Sequence, residues 1–565
     1  MRLYATWDTA SNTPTWIRTA DTGYADKVAL KSVPGATEWL SYPPDPRTLG
    51  QLIQLCGKDR VDARLYAWYK WRISQDATLA EVAKLDDVAS VADEVAWGHD
   101  LYRYQRVGAL WLAIARRAIL GDEVGLGKTI QSLTAARLLG SRTVLIITLN
   151  IAKRSVWEKH CREWLGVSPV VVEGDKPTRM RLLEQRGDVV IINHEMLRPK
   201  AGFPGIFDRT WDLVIVDEAH KLQGRSARVV NGQVKGSQQS AGADMLKSDA
   251  MFLLTGTPIW SDAESIWHLL KMLRPKQFSS YWRFVETFFD TVLTPWNREV
   301  VGVKPSMRDE FTTTLAPMML RRTKRAMLPQ LPDKIVQAIE YTPSATTRRA
   351  YDLIKRKRHL STPTHDKYYQ NAASAMADMR QLLNMPSAYG ITDTAKDAAL
   401  LELIDSVDGK VVVFTWHVAY ADHVRTICAA RGWKPGVITG STSPRDRDAN
   451  LTMFRDDPAC KVMVGNIAAM GTAINDLVVA SVAVFAEGAY VPALNEQAEG
   501  RLHRMGQKCD VMIYRLQAGS TVESAIWEVA DERAGLADEL LSFQAVARKV
   551  FGDNDNDEHD TTEQN

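Results

Sequence analysis

Short apolar runs alternate with longer amphipathic stretches between about residues 100 and 275. The apolar runs predict strands at residues 118–120, 143–148, 189–193, 213–216 and 252–254. Strands that are apolar along their whole length and are separated by helices indicate a parallel sheet with both faces covered. This part of the chain therefore predicts an α/β lobe.

The same alternation returns from about residue 397. Its apolar runs predict strands at residues 411–414, 437–438, 462–464, 482–485 and 511–514. We therefore expect a second α/β lobe. Residues 262–395, between the two regions, are rich in Arg and Lys and far longer than an ordinary connection. We expect this stretch to be helical.

The two flanking regions have a different character. Residues 3–31 predict a short β-rich start, with helices following up to about residue 96. One more amphipathic helix is predicted after residue 535. Residues 552–565 are acidic and lack aromatic side chains, so we expect a disordered tail.

The composition narrows the class of protein without identifying it. A chain of 565 residues is too long for one core, and 45% hydrophobic with 24% charged residues is ordinary for a soluble protein. A net charge of +2 gives no overall argument for nucleic acid, so such binding depends on local patches. The five scattered cysteines argue against a zinc site and fit a reducing compartment. There is no signal core and no run of membrane-spanning length.

A glycine-rich segment after the first predicted strand is typical of phosphate binding. Residues 121–129 read Gly-Asp-Glu-Val-Gly-Leu-Gly-Lys-Thr. Such glycines let backbone N–H groups close around phosphate oxygens, with a helix N-terminus behind them. In this loop Lys128 can reach the β- and γ-phosphates, and the Thr129 hydroxyl can hold Mg²⁺.

The other half of a nucleoside-triphosphate site follows the strand predicted at residues 213–216. There the chain reads Asp217-Glu218-Ala219-His220. We expect Asp217 to hold the metal through water and Glu218 to orient or deprotonate the attacking water. Either half alone is a modest signal, but the two together at strand ends predict a Mg-ATP site.

Two further segments fit this site. Tyr104 and Gln105 precede the glycine-rich loop at the spacing of an adenine-reading motif, and a Gln amide offers the donor and acceptor that match the adenine edge. Thr255, Gly256 and Thr257 follow the strand at 252–254, from which their hydroxyls can relay hydrolysis into lobe movement. The plain alternatives are a surface glutamine and an ordinary strand-to-turn connection.

The glycine-rich loop departs from the general pattern G-x-x-x-x-G-K-[ST], because Asp122 replaces its first glycine. The resulting Asp-Glu-x-Gly-Leu-Gly-Lys-Thr resembles the phosphate loop of the Swi/Snf-type DNA translocases of helicase superfamily 2. The resemblance implies an ATP site built from the motif residues in the first lobe: Tyr104, Gln105, Asp122, Glu123, Gly125, Leu126, Gly127, Lys128 and Thr129.

Later motifs occur in the order of that family. Leu320-Arg321-Arg322-Thr323-Lys324 resembles the signature that links its lobes. Residues 497–507 resemble its arginine-finger stretch, in which Arg501 and Arg504 would share one helix face and meet the γ-phosphate. A structural pair of surface arginines is the alternative. The same stretch supplies Gln497 to the ATP site.

The resemblance also implies residues that couple hydrolysis to movement. Gly471-Thr472-Ala473-Ile474-Asn475 resembles the family's Gly-x-Gly-Leu-Asn, with Ala473 in place of the second glycine. The implied coupling residues are His220, Thr255, Gly256, Thr257, Gly471, Asn475 and Gln507.

The resemblance covers about residues 100–530 and implies an α/β fold with two RecA-like lobes. We expect an N-terminal accessory domain (1–96), lobe 1 (97–275), helical protrusions and a lobe linker (276–395), lobe 2 (396–535) and a C-terminal helix with an acidic tail (536–565). The implied cofactors are ATP and Mg²⁺, and the implied activity is ATP-driven movement on double-stranded DNA. We expect a monomer without a membrane partner, in the cytoplasm of a bacterial or virus-infected cell rather than in a nucleus.

Two other functions stay open. One is a strand-separating DNA or RNA helicase of superfamily 2, because Asp-Glu-Ala-His is shared with those enzymes. The Arg-Arg-Thr-Lys signature argues against it. The other is a slow ATP-switched clamp on DNA. Intact Lys128, Glu218, Arg501 and Arg504 argue against a dead ATPase but not against a slow switch.

Overall fold

The computed structural model describes residues 1–8, 13–22, 24–31, 33, 41–42, 44–88, 101–150, 152–185, 187–222, 228–230, 233–235, 237–256, 263–293, 298–471 and 476–532. The chain divides into two compact units. The first comprises residues 1–123 and 127–323, and the second comprises residues 124–126 and the chain from 324 onward. The helix and tail predicted after residue 535 lie outside the described residues.

The first unit opens with a small region that has its own core. Its strands are β1 (Arg2–Asp8), β2 (Thr13–Ala20) and β3 (Ser41–Tyr42), and its helices are α1 (Tyr24–Lys31), α2 (Pro46–Cys56) and α3 (Ala63–Val82). The strands form an antiparallel sheet in the order β1-β2-β3, and Leu3, Ile17 and Leu49 are buried in the core. The predicted β-rich start is present, although α1 occupies its last part.

The rest of the first unit is an α/β lobe. Its strands are β4 (Arg117–Leu120), β5 (Val144–Thr148), β6 (Val170–Val171), β7 (Val189–Asn193), β8 (Thr210–Val216), β9 (Arg228–Val230), β10 (Gln233–Lys235), β11 (Lys247–Leu254), β12 (Phe289–Leu293), β13 (Arg298–Val303) and β14 (Met319–Leu320). Seven of them form a parallel sheet in the order β14-β4-β11-β8-β5-β7-β6. All five predicted strands of this lobe are confirmed.

Seven helices and two π-helical turns are described in this lobe. They are α4 (Arg103–Ala115), α5 (Lys128–Leu138), α6 (Lys176–Glu184), α7 (Gln238–Ala243), α8 (Ala263–Leu273), α9 (Tyr281–Phe288) and α10 (Arg308–Leu315), with π-helical turns at Lys153–Glu158 and Cys161–Leu165. The sheet interior is aliphatic, and residues such as Ile147, Val216 and Leu253 are fully buried. A parallel sheet buried on both faces explains why its strands read as continuous apolar runs.

The second unit is another α/β lobe. Its strands are β15 (Lys334–Tyr341), β16 (His359–Ser361), β17 (Asp366–Tyr368), β18 (Val411–Thr415), β19 (Gly436–Ile438), β20 (Val462–Asn466), β21 (Val482–Phe485) and β22 (Val511–Ala518). Its helices are α11 (Lys324–Met327), α12 (Ala345–Lys357), α13 (Ala372–Asn384), α14 (Ala395–Asp405), α15 (Val418–Ala430), α16 (Pro444–Asp456), α17 (Ile467–Met470), α18 (Pro492–Glu499) and α19 (Val522–Glu532). A six-stranded parallel sheet runs in the order β15-β22-β21-β18-β20-β19.

The predicted α/β fold class with two parallel-sheet lobes is confirmed. The prediction that residues 262–395 are helical is wrong in part. The hairpins β12–β13 and β16–β17 interrupt the helices, β14 joins the sheet of the first unit, and β15 joins that of the second. β-branched residues, which favour extended backbone, mark two of these strands at Val300 in β13 and Val336 in β15. None of the described helices is long and apolar enough to cross a membrane.

Candidate nucleotide-binding site

Three segments predicted to carry chemistry follow neighbouring strands of the first unit. Leu254 at the end of β11 pairs with Leu120 at the end of β4, and Leu253 pairs with Val216 at the end of β8. The glycine-rich loop, Asp217 and Thr255 therefore leave the sheet at the same carboxyl edge. In open α/β sheets this edge is where ligands bind.

The phosphate loop, residues 121–127, has the backbone that its glycines predict. Gly125 and Gly127 have φ of +96° and +74°, in a region that side chains disfavour, and α5 begins directly afterwards at Lys128. The side-chain amide of Gln105 packs against Gly127 so closely that a Cβ would collide with it. The Lys128 ammonium donates to the carbonyl oxygen of Asp122 at 2.7 Å. The loop thus combines a curled backbone with an internal cation, which fits a phosphate chain.

Asp122, which replaces the first glycine of the general pattern, is fully buried and paired with Arg322. Arg322 Nε donates to Oδ1 at 3.0 Å and Nη2 donates to Oδ2 at 2.6 Å. Gln131 of α5 donates to the same carboxylate at 3.1 Å. The substitution of aspartate for glycine is therefore matched by a cation from a distant part of the chain.

The Asp217 carboxyl is oriented by two side chains and by its own turn. Oδ2 accepts from the Trp157 indole N–H at 2.8 Å and from the Thr148 hydroxyl at 2.9 Å. Oδ1 accepts from the backbone N–H of Glu218 at 3.0 Å. Burial and the charge of Glu218 raise the pKa of Asp217, while the Trp157 and Thr148 hydrogen bonds oppose the rise. A fixed carboxylate at a strand end beside a phosphate loop suits a hydrated Mg²⁺.

Glu218 sits in an unusual backbone conformation. Its φ is +49°, which a side chain adopts at a cost, and such strain clusters at functional sites. His220 Nδ1 lies 3.3 Å from Glu218 Oε2. Burial lowers the pKa of His220 to about 4, so this imidazole is neutral at pH 7.

Of the predicted coupling residues in this unit, Thr255 is buried and its backbone N–H donates to the Leu120 carbonyl at 3.2 Å. Gly256 follows it directly. These contacts attach the end of β11 to the strand that carries the phosphate loop. Thr257 lies outside the described residues.

The adenine segment, Tyr104 and Gln105, lies at the start of α4. Both side chains are buried, so the alternative of a surface glutamine is wrong. Gln105 Oε1 accepts from the backbone N–H of Tyr102 at 3.1 Å and caps the helix, while its amide nitrogen faces the phosphate loop. The segment is thus fixed beside the loop, and adenine reading stays a prediction.

In the second unit, the arginine-finger stretch does not have the predicted helical form. Helix α18 ends at Glu499, so the prediction that Arg501 and Arg504 share a helix face is wrong. The low helix propensity of Gly500 at the helix end is consistent with this. The residues that follow form turns, closed by the Gln507 N–H donating to the Arg504 carbonyl at 3.1 Å.

The other residues of this stretch are fixed by hydrogen bonds within the second unit. The Arg501 guanidinium donates to the carbonyl oxygen of Gly471 at 2.6 and 2.9 Å. Gln507 Nε2 donates to the Ala480 carbonyl at 2.9 Å, and Gln497 is buried. Two segments with predicted coupling residues are therefore joined through Arg501. Asn475 lies outside the described residues.

Sequence reasoning missed several residues that orient this site. Thr148 and Trp157 hold Asp217, and the His194 ring lies 3.0 Å from the carbonyl oxygens of both Thr148 and Asp217. Thr148 could have been found, because it ends the strand next to the one that carries Asp217. The contact of Arg322 with Asp122 links residues far apart in sequence, which a single sequence cannot reveal.

Comparison with known proteins adds a family context. The family model of the SNF2-related domain matches residues 102–388. The family model of the helicase conserved C-terminal domain matches residues 395–506. A solved structure, the Sulfolobus solfataricus SWI2/SNF2 ATPase core in complex with dsDNA, is 22% identical, covers 80% of this chain and 97% of that chain, and superposes with a TM-score of 0.37.

Three curated relatives illustrate the similarity. Chromodomain-helicase-DNA-binding protein 9 of Mus musculus is 25% identical over 83% of this chain and 18% of its own length. The SWI/SNF-related matrix-associated actin-dependent regulator of chromatin subfamily A-like protein 1 homolog of Caenorhabditis elegans is 26% identical over 77% of this chain and 61% of its own length. An uncharacterized ATP-dependent helicase of Mycoplasma pneumoniae is 25% identical over 81% of this chain and 44% of its own length. The chain thus spans less than two thirds of the length of these relatives.

Proposed function

This chain belongs to the SNF2-related family, and we propose that it is an ATP-driven motor that moves along double-stranded DNA. One observation carries the proposal furthest. The sheet of the first unit brings the phosphate loop, Asp217 and Thr255 to neighbouring strand ends. That arrangement provides phosphate binding, metal binding and a connection from the site into the lobe.

We infer the roles of the residues from their motifs, and this geometry supports them. The loop N–H groups and the Lys128 ammonium would bind the β- and γ-phosphates, and the Thr129 hydroxyl and Asp217 would hold Mg²⁺. Bound Mg²⁺ neutralises charge on the phosphate oxygens. Glu218 would orient or deprotonate the attacking water, and its φ of +49° is the kind of backbone strain that clusters at functional sites.

Arg501 and Arg504 complete the proposed reaction by stabilising charge on the γ-phosphate. In related phosphoryl transfers an arginine finger raises kcat by a factor of roughly 10³–10⁵. Because Arg501 is anchored on Gly471, its engagement by nucleotide would move the segment that contains the predicted coupling residues. We infer that hydrolysis is connected in this way to movement of that segment of the second unit.

DNA as the partner is supported by the family and by local charge. The names of the relatives include DNA binding and ATP-dependent helicase. Helix α12 ends in Lys355, Arg356 and Lys357, of which the last two are exposed. Exposed cations of this kind bind phosphates without reading sequence.

The test is steady-state ATP hydrolysis without nucleic acid and with duplex DNA, single-stranded DNA or RNA, beside the Lys128→Ala variant. We expect stimulation by duplex DNA that the variant loses. Stimulation by RNA or single strands alone would place the chain among strand-separating helicases. Slow hydrolysis that no nucleic acid stimulates would favour the ATP-switched clamp.

A further inference from the structure

We propose that Arg322 is a positioning residue of the nucleotide site, which joins the adenine segment to the phosphate loop through its pair with Asp122. The proposal rests on the proposed ATP-dependent function. Arg322 lies in Leu320-Arg321-Arg322-Thr323-Lys324, which by its family resemblance is expected to link the lobes. By its contacts, Arg322 belongs to the site in the first unit.

The buried charge of Asp122 needs a partner. Its side chain has no exposed surface, and that of Arg322 is only 9% exposed. A buried carboxylate without a partner is strongly unfavourable, and a planar guanidinium satisfies both oxygens at once. The two parallel hydrogen bonds to Oδ1 and Oδ2 have this fork geometry. A lysine could supply the charge but not the fork.

The same guanidinium reaches two other segments. Nη1 donates to the carbonyl oxygen of Tyr104 at 2.6 Å, and Nη2 donates to Gln131 Oε1 at 2.7 Å. Tyr104 belongs to the adenine segment, whereas Gln131 lies on α5 behind the phosphate loop. One side chain therefore fixes the spacing between the two segments expected to bind the two ends of ATP.

The backbone around the pair is hydrogen-bonded as well. Gly121 N–H donates to the Leu320 carbonyl at 2.7 Å, and Glu123 N–H donates to the Arg322 carbonyl at 3.0 Å. The chain at 320–322 thus extends the pairing of β14 with β4 into the phosphate loop. On the other side, a Cβ at Gly108 of α4 would lie 2.6 Å from Arg322 Nη2. The pair is enclosed on both sides, so it cannot shift without moving the loop.

The experiment compares Arg322→Gln, Arg322→Lys, Asp122→Asn and the double variant Asp122→Asn/Arg322→Gln in the full chain. The dissociation constant of a fluorescent ATP analogue, KM and kcat are measured, with folding checked by circular dichroism and thermal melting. We expect Arg322→Gln to weaken nucleotide binding by roughly tenfold or more, the effect of losing about 1.4 kcal/mol. The double variant should lose less than Arg322→Gln, because it leaves no buried unpaired carboxylate.

The matched control is Arg117→Gln. Arg117 begins β4, the strand that leads into the phosphate loop. Its guanidinium lies at the end of the strand away from the loop, where it donates to the carbonyls of Met272 and Leu273. We expect this variant to melt at a lower temperature while its folded fraction binds nucleotide like the wild type. If Arg322 had only the structural role of any buried arginine, Arg322→Gln would likewise lower the melting temperature without weakening nucleotide binding by the folded fraction.

Each possible outcome has a distinct meaning. Folded Arg322→Gln with wild-type nucleotide affinity would overturn the inference, as would affinity losses that simply add in the double variant. If Arg322→Gln does not fold, Arg322→Lys and the double variant decide in its place, and unchanged affinity in both would overturn it. A wild-type protein that binds no nucleotide would instead defeat the proposed function.

Discussion

At the scale of single residues, the orientation of the Asp217 carboxyl depends on side chains that carry no charge. Trp157 and Thr148 both donate to Oδ2, and both lie outside the Asp-Glu-Ala-His motif. Their hydrogen bonds leave the carboxylate one preferred direction. Metal ligands held in this way by a second layer of residues bind more tightly than free ones.

Replacing Trp157 by Phe should therefore impair the reaction. Hydrogen bonds to charged groups contribute about 1.5–3 kcal/mol, so we expect kcat or Mg²⁺ affinity to fall by roughly tenfold or more. The measurement is ATP hydrolysis at a series of Mg²⁺ concentrations. Trp211→Phe is the control, because Trp211 donates only to the Ile206 carbonyl in the same lobe. Equal losses in the two variants would contradict the role given to Trp157.

Variants at Glu218 and Lys128 should lose different steps of the reaction. Glu218→Gln keeps the shape of the side chain but cannot accept a proton, so we expect ATP binding to persist while turnover drops by about 10²–10⁴. Lys128→Ala should lose binding itself, because it removes the cation from the phosphate loop. Nucleotide binding and single-turnover hydrolysis distinguish the two. Rapid turnover by Glu218→Gln would remove it from its assigned role.

Residue motifs were readable from the sequence where neighbours in the chain act together. The phosphate loop and residues 217–220 are of this kind. The pairing of Asp122 with Arg322 was not readable, because it depends on how β14 joins the sheet beside β4. Likewise, the Arg501 guanidinium is held by the carbonyl oxygen of Gly471, and a single sequence does not reveal this contact between separate segments.

At the scale of elements, a buried charged group ties three elements of the second unit together. Glu487, just after β21, accepts from Arg380 of α13 at 3.3 Å and from Asn384 of the same helix at 2.6 Å. The His417 ring after β18 donates to it at 2.7 Å. Burial alone would raise the pKa of Glu487, but the hydrogen bond from His417 and the charges of Arg380 and His417 lower it to about 2.

This arrangement predicts acid sensitivity of the second unit. Since the pKa of Glu487 is lower in the folded protein than the usual value of about 4.3, its contribution is present at neutral pH and is lost as the pH falls from about 4.5 toward 2. The contribution is on the order of 3 kcal/mol. We expect Glu487→Gln to unfold more easily at pH 7 and to show a flatter decline in unfolding free energy below about pH 5.

The control for this prediction is Asp456→Asn, since Asp456 is exposed and pairs with the neighbouring Arg455 at the surface. The free energy of unfolding in urea is measured at several pH values and compared between the wild type and the two variants. If Glu487→Gln kept the wild-type pH dependence, the low pKa would not be a source of stability.

Elements with continuous apolar runs were predictable, and those of the insertion were not. The central strands of both parallel sheets are recognisable in the sequence as continuous apolar runs, because both of their faces are buried. By contrast, β15 is an edge strand and most of its residues are exposed, so it lacks that pattern. The hairpin β12–β13 is stabilised by pairing with its own partner strand, which periodicity of a single segment does not show.

At the scale of the whole molecule, the proposed motor would convert ATP hydrolysis in the first unit into movement along DNA. The small N-terminal region belongs to the first unit through polar contacts. Arg47 pairs with Glu310 at 2.6 Å, and Gln277 donates to Asp45 at 2.8 Å. Because the region has its own core, we expect Arg47→Ala to loosen it without reducing ATP hydrolysis. Limited proteolysis beside hydrolysis assays checks this, and a matching loss of hydrolysis would contradict it.

The most direct test of the central claim is displacement of a third strand from a DNA triplex by the full chain. A motor on double-stranded DNA should release the third strand in the presence of ATP while leaving the underlying duplex paired, and Lys128→Ala and Glu218→Gln should both fail. Release that needs no hydrolysis, or that occurs only with separation of the duplex, would contradict the account.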